Sequence, residues 1–148
     1  MGTVLAVKDL VVNYGAVQAL KGVTLELGER DIVAVLGANG AGKTTLLKSI
    51  SHIQPIRSGT ILFSGKDLAT VPAFRLAELG IAHVPEGRQV FATLTTEENL
   101  NVGAYGVRNQ PAGKQLAKTK DWVFGLFPIL KERRKQLAGT LSGGEQQM

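Results

Sequence analysis

The sequence contains no cysteine and few aromatic residues, with one tryptophan, two tyrosines and five phenylalanines among 148 residues. Without cysteine, the chain has no disulfide bond, no thiol nucleophile and no cysteine-ligated zinc. No apolar run approaches the roughly 18 residues that a transmembrane helix requires. The N-terminus lacks the basic start and the apolar stretch of a secretory signal peptide. The lack of cysteine fits a protein of a reducing compartment.

The charge is unbalanced, with a formal net charge of +5 at pH 7. Basic surfaces of this kind occur in proteins that bind nucleic acids. Basic and aromatic residues are not interleaved here, so we expect a solvated basic surface and no nucleic-acid partner. The two histidines, His52 and His83, have no potential partners at the spacing of a metal site or a catalytic triad, and we interpret both as structural.

Apolar runs separated by glycine-containing turns predict strands in the first 86 residues. Alternating apolar residues predict strands over 4–12, 23–27 and 60–64. Continuous apolar runs predict core strands at 32–36 and 81–85. The run at 32–36 suits a parallel strand that is covered on both faces.

The predicted helices lie mostly in the second half of the chain. They span 44–53, 73–79, 96–104 and 117–130. Gly80 is a plausible C-cap for the second of them. The polar segment 108–113 between the last two predicts a loop. The sequence therefore predicts a mixed α/β part followed by a mostly helical part.

A glycine-rich motif follows the apolar run at 32–36. It reads Gly-Ala-Asn-Gly-Ala-Gly-Lys-Thr and matches the phosphate-loop pattern GxxxxGK[ST] between a predicted strand and a predicted helix. Glycines let main-chain N–H groups approach phosphates closely, and the start of the helix adds partial positive charge. The lysine of this pattern reaches the β- and γ-phosphates, and its threonine binds Mg²⁺. The candidate residues are Gly37, Asn39, Gly40, Gly42, Lys43 and Thr44.

A second motif lies near the C-terminus, where residues 141–147 read Leu-Ser-Gly-Gly-Glu-Gln-Gln. The hydroxyl of Ser142 and the main-chain N–H groups of Gly143 and Gly144 suit an anion at the start of a helix. A serine N-cap with a Gly-Gly turn, and no ligand, is the alternative.

The two motifs together resemble those of the ATP-binding subunits of ABC transporters. The resemblance implies an α/β fold: the N-terminal part of a P-loop NTPase (ABC ATPase) core, with an antiparallel β subdomain and a helical subdomain. It implies residues 1–86 as the first part of the ATP-binding core and residues 87–148 as the helical subdomain, which ends at the signature motif. It also implies ATP and Mg²⁺ as cofactors. In this family the signature, here including Ser142–Glu145, covers the nucleotide of a second ATP-binding subunit, so a head-to-tail dimer is implied.

Other residues match family positions in chain order. Tyr14 lies where the family places an aromatic residue that stacks on adenine, and a plain turn tyrosine is the alternative. Val17 matches the small apolar residue beside it, and Thr45 matches the residue after the phosphate-loop threonine. Glu86 stands where the Q-loop of the family has glutamine, which implies a role near Mg²⁺ and the attacking water. Gln89 is three residues out of register with that position.

Longer stretches favour one subfamily. VPEGRQVF, LTTEENL and LFPILKERRKQLAGTLSGGEQQM resemble the corresponding subunits of bacterial branched-chain amino-acid importers. The resemblance implies transmembrane permease subunits as partners, with 86–91 as candidate contacts, and a periplasmic substrate-binding protein acting indirectly. It also implies a cytoplasmic, peripheral location on the inner face of the cell membrane. Another ABC importer or a non-transport ABC ATPase is the alternative.

One element that the family needs for hydrolysis is not found in this sequence. It is an apolar strand ending in Asp-Glu, after the signature, which orders the Mg²⁺ shell and polarises water. We therefore expect the chain to bind ATP weakly without hydrolysing it, and the full-length protein to be an ATPase. A GTPase is disfavoured because no stretch matches NKxD or DxxG, and a small-molecule kinase would not explain the second motif.

Overall fold

The structure is a computed structural model that describes residues 2–107 and 114–148. Its residues divide into two compact units, 1–83 and 84–148, which we call unit 1 and unit 2. The loop predicted at 108–113 lies outside the described residues. The domain interpretation with a boundary after residue 86 stays a prediction.

Unit 1 is built on a four-stranded antiparallel sheet with the strand order β2-β1-β3-β4. Residue Gly15, at φ +58°, lies in the turn between the first two strands. The strands predicted at 4–12, 23–27 and 60–64 are confirmed, and the first two are longer than expected. The strands are β1 (Thr3–Tyr14), β2 (Val17–Gly28), β3 (Ser58–Phe63) and β4 (Lys66–Asp67).

The core of unit 1 lies where the sheet meets helix α1 (Lys43–Ile50). Leu10 and Val12 of β1 are fully buried, and Leu46 of α1 packs with them. Burial of each such side chain contributes about 1.5–3 kcal/mol. The phosphate-loop motif therefore leads directly into a helix that is fixed on the sheet.

The core strands predicted at 32–36 and 81–85 are wrong, since neither segment is a strand in the structure. Ile32 is 99% exposed and Leu36 is 89% exposed. A run of this kind becomes a buried strand only when neighbouring parallel strands pair with it. Among the described residues every paired strand is antiparallel and belongs to β1–β4.

The helix predicted at 44–53 is confirmed in its first part and ends at Ile50, because His52 has φ +56°. The α-helix predicted at 73–79 is wrong. Two 3₁₀ turns, Ala73–Arg75 and Ala77–Leu79, replace it. The segment lies between a proline and a glycine and is too short for a stable α-helix. Gly80 ends it in the left-handed conformation, at φ +94°, which confirms the predicted C-cap.

Unit 2 is mostly helical among the described residues. The helix predicted at 96–104 is confirmed. The helix predicted at 117–130 is interrupted at Phe127, because Pro128 lacks an N–H group and disfavours helical geometry in the preceding residue. The helices of unit 2 are α2 (Thr96–Gly103), α3 (Leu116–Leu126), α4 (Pro128–Glu132) and α5 (Gly143–Gln147).

Candidate functional site

The phosphate loop is folded around its own lysine. The Nζ atom of Lys43 donates hydrogen bonds to the carbonyl oxygens of Gly37, at 2.7 Å, and Ala38, at 2.9 Å. The main-chain N–H of Ala41 donates to the same Ala38 oxygen at 3.1 Å. These bonds hold a compact turn with a positive charge inside it, directly before α1.

Gly42 joins this turn to α1 and tolerates no side chain. It is the N-cap of α1 at φ +92°. A Cβ atom there would lie 2.6 Å from Cδ2 of Leu20 and 3.0 Å from the carbonyl oxygen of Ala19. The helix therefore starts against β2, and its start has no side-chain cap and no acidic residue in the first turn. The partial positive charge of the helix start is not offset locally.

The two threonines after Lys43 differ in burial. Thr44 is half-buried at the start of α1, whereas Thr45 is buried. Ser49 donates to the carbonyl oxygen of Thr45 at 2.8 Å. Thr44 is thus the better placed of the two for a hydroxyl–metal contact. Asn39 is exposed in the preceding turn.

Tyr14 and Val17 are paired across the turn that joins β1 to β2. Tyr14 is 46% exposed and Val17 is 69% exposed. Val17 lies three positions before Leu20 on β2, or about 10 Å along the strand. Leu20 is the residue whose side chain lies against Gly42. The exposed Tyr14–Val17 pair therefore lies at the turn of the hairpin whose second strand, β2, contacts the phosphate loop.

The second motif forms the start of α5 through a capping box. The Ser142 hydroxyl accepts a hydrogen bond from the N–H of Glu145, and the Glu145 carboxylate accepts one from the N–H of Ser142 at 2.8 Å. Nη1 of Arg133 lies 2.9 Å from Oε1 of Glu145. The N–H and hydroxyl of Ser142, and then Arg133, lower the pKa of the Glu145 carboxyl from its usual 4.5.

The sequence indicated the serine cap but not the basic partner of Glu145. The Ser-x-x-Glu spacing of Ser142 and Glu145 is a capping-box signal. Arg133 lies in the basic run 131–135, and nothing in the sequence links it to Glu145. It stays a prediction that a nucleotide contacts Ser142, Gly143, Gly144 and Glu145.

Glu86 lies on exposed backbone in unit 2, before Gly87 at φ +80°. Its roles in catalysis and metal binding stay predictions. Among residues 2–107 and 114–148, no three His, Asp or Glu side chains are grouped so that they could hold a metal ion. Mg²⁺ in phosphate sites needs few protein ligands, because phosphate oxygens and water supply the rest. The hydroxyl of Thr44 fits that requirement.

The family follows from a match to known sequences. The profile of the ABC transporter family matches residues 20–148, which include both motifs. The chain belongs to the ABC transporter family. Its fold is the N-terminal part of an ABC ATPase core, with an antiparallel β subdomain and a helical subdomain. No helix within the described part of this ABC protein is long and apolar enough to cross a membrane.

Curated relatives include two branched-chain amino acid transport proteins and one protein of an export system. The chain is 46% identical to the high-affinity branched-chain amino acid transport ATP-binding protein BraG of Pseudomonas aeruginosa, over 91% of this chain and 56% of that protein. It is 39% identical to the probable branched-chain amino acid transport ATP-binding protein LivF of Archaeoglobus fulgidus, over 92% and 56%. Identity to the lipopolysaccharide export system ATP-binding protein LptB of Haemophilus influenzae is 30%, over 97% and 58%. The chain thus spans little more than half the length of these relatives.

Solved structures agree on the fold. An ATP-binding subunit of an ABC transporter superposes with a TM-score of 0.76 at 30% identity, covering 97% of this chain and 58% of that one. A dimeric bacterial ABC transporter cassette gives 0.80 at 22% identity, with coverage of 97% and 65%, and this second likeness shows the fold alone.

Proposed function

We propose that these residues form the N-terminal part of an ATP-binding subunit that couples ATP binding and hydrolysis to the uptake of branched-chain amino acids. The Lys43 ammonium group inside the phosphate loop, at the uncapped start of α1, carries the nucleotide-binding part of the proposal. The identities to BraG and LivF support the branched-chain cargo.

The phosphate loop, the start of α1 and the β1–β2 turn have distinct roles in this proposal. Lys43 exchanges its two carbonyl oxygens for the oxygens of the β- and γ-phosphates, which carry more negative charge. Main-chain N–H groups between Gly37 and Gly42 face the phosphates. Thr44 binds Mg²⁺, Thr45 anchors the helix start, and Tyr14 stacks on adenine beside Val17.

The other parts of the proposal concern partners. A second ATP-binding subunit presents its phosphate loop to residues 142–145 in a head-to-tail dimer. Transmembrane permease subunits contact residues 86–91, and a periplasmic substrate-binding protein delivers the amino acid. The subunit is peripheral on the inner face of the membrane, with 1–86 in the ATP-binding core and 87–148 in the helical subdomain.

We expect the 148 residues by themselves to bind Mg-ATP weakly and to hydrolyse it negligibly. Phosphoryl transfer depends on charge neutralisation and on an oriented water. No apolar strand ending in Asp-Glu occurs in the sequence to supply these. ATP turnover of this chain should equal that of Lys43→Ala, and a Lys43-dependent rate like that of an intact ABC ATPase would contradict the expectation.

Transport is tested with the complete subunit and its permease in cells that lack their own branched-chain importer. Uptake of radiolabelled leucine, isoleucine and valine should depend on the subunit and should be lost in Lys43→Ala. The 30% identity to an export subunit favours another ABC system as the second candidate. Lys43-dependent transport of a different cargo, without branched-chain uptake, would support that candidate.

A further inference from the structure

Arg88 packs against the first residue of the signature helix within unit 2. Its guanidinium group fills the space that a Cβ atom at Gly143 would take, with Nη1 2.8 Å from that position. The neighbouring Gly144 has nothing within 4 Å of its own Cβ position. The lack of a side chain at Gly143 is therefore what admits Arg88.

The segment that carries Arg88 is anchored three residues later. The N–H of Phe91 donates to Oδ1 of Asn99 at 2.8 Å, and Nδ2 of Asn99 donates to the carbonyl oxygen of Phe91 at 3.1 Å. The same amide group also donates to the carbonyl oxygen of Thr95, at 2.9 Å. Asn99, on α2, thus fixes the main chain on both sides of Phe91.

The segment before the signature is tied to the same part of the chain. The N–H of Gly139 donates to the carbonyl oxygen of Ala92 at 3.0 Å, and the N–H of Ala138 donates to that of Leu94 at 2.9 Å. A Cβ atom at Gly139 would lie 2.9 Å from Cβ of Ala92. Residues 88–94 therefore contact the signature segment at two places, Gly139 and Gly143.

Helix stability does not account for the position of Arg88. A cation at a helix N-terminus opposes the helix dipole. The favourable charge at this end is Glu145, which completes the capping box. The planar guanidinium group, at the end of an exposed side chain, instead lies against the main chain of Gly143.

We propose that Arg88 is a positioning residue: it holds the main chain of Gly143 and so couples the segment after Glu86 to the signature. This rests on the proposed function, in which the main-chain N–H groups of the signature meet the nucleotide of a partner subunit. Arg88 acts through Gly143 and does not itself touch the nucleotide bound by its own subunit.

The contact is tested by hydrogen exchange of the amides of Glu145 and Gln146, which donate to the hydroxyl and the carbonyl oxygen of Ser142, in the 148-residue chain. Arg88→Ala and Gly143→Ala, which displaces the guanidinium, should each accelerate exchange about fivefold. Gly144→Ala is the matched control and should not accelerate it. The double variant Arg88→Ala/Gly143→Ala should exchange no faster than either single variant. Exchange unchanged in Arg88→Ala, or equal in the two glycine variants, would overturn the contact.

The positioning role is tested in the complete subunit with its permease. Arg88→Ala should lower kcat about tenfold and leave the Kd of Mg-ATP and the Tm unchanged, and Arg88→Lys should restore only part of kcat. Arg75→Ala, which removes an arginine that stacks on Phe74 at 5.9 Å, should leave kcat unchanged. If ATP binding depends on Lys43 but Arg88→Ala leaves kcat unchanged, the positioning role alone is overturned. A loss of Lys43-dependent binding overturns the proposed function and leaves the exchange result standing.

Discussion

Nζ of Lys43 lies 2.7 Å from the carbonyl oxygen of Gly37 and donates a hydrogen bond to it. The bond joins the lysine near the end of the phosphate loop to the first glycine of the loop. It holds the ammonium group among carbonyl oxygens, which are weaker partners than phosphate oxygens. The loop is therefore already folded around the ammonium charge that the phosphates of a nucleotide would contact.

Gly42 provides a test of how this loop is attached to the sheet. Gly42→Ala places a Cβ atom 2.6 Å from Leu20 Cδ2 and 3.0 Å from the Ala19 carbonyl oxygen. The left-handed backbone should lower the free energy of unfolding by about 1–2 kcal/mol. The overpacking should lower it by about 1–3 kcal/mol more. Urea denaturation should therefore show a free energy of unfolding lowered by both effects.

Gly40→Ala is the matched control. Gly40 has φ +86° and nothing within 4 Å of its Cβ position, so the variant should lose only about 1–2 kcal/mol. Equal losses in Gly42→Ala and Gly40→Ala would show that the packing of the loop on β2 is not as described.

Tyr14 should contribute to the affinity for the adenine base. Its ring is 46% exposed at the end of β1, and a stacked base is worth about 1–3 kcal/mol. Tyr14→Ala should raise the Kd of Mg-ATP about tenfold, measured by calorimetry. Tyr14→Phe retains the ring and should bind within about twofold of wild type. If the alanine variant binds as tightly as wild type, adenine does not stack on Tyr14.

Glu145 should make the start of α5 sensitive to acid. Ser142, and then Arg133, lower the pKa of its carboxyl from 4.5, so the folded state favours the charged form. The stabilisation is fully present above pH 4.5 and is lost as the pH falls through the lowered value. Exchange of the α5 amides, corrected for intrinsic rates, should therefore accelerate below pH 4.5.

Glu145→Gln is the control for that titration. A glutamine at this position can still complete a capping box but carries no titrating charge. The variant should keep α5 and lose the acid-dependent step. The same step in both proteins would assign the pH dependence to another group.

The elements that rely on local signals could be predicted from the sequence. The β1–β2 hairpin follows from alternating apolar residues around a glycine, and the phosphate loop from its glycines and lysine. Gly80 ends its segment as predicted, because a left-handed C-cap needs only a glycine. These features depend on residues that are close in the chain.

The elements that need partners far away in the chain could not be predicted from the sequence. Residues 32–36 have the composition of a buried strand, yet composition does not supply the neighbouring strands, and Ile32 is exposed. Pro128 indicates the break between α3 and α4, but the apolar pattern around it favours one continuous helix. The contact of Arg133 with Glu145 joins residues 12 positions apart, and that of Arg88 with Gly143 joins residues still farther apart, so neither pair has a fixed spacing to reveal it.

The association of Mg-ATP with the phosphate loop is the most direct test of the account. Isothermal titration of this chain, and of the complete subunit, should detect Mg-ATP binding that Lys43→Ala weakens at least about tenfold, since a charge-assisted contact to phosphate is lost. Lys48→Ala removes the same charge from the last turn of α1 and should leave the affinity unchanged. Mg-ATP binding that is equal in wild type and Lys43→Ala, or that is absent from both the chain and the complete subunit, would contradict the account.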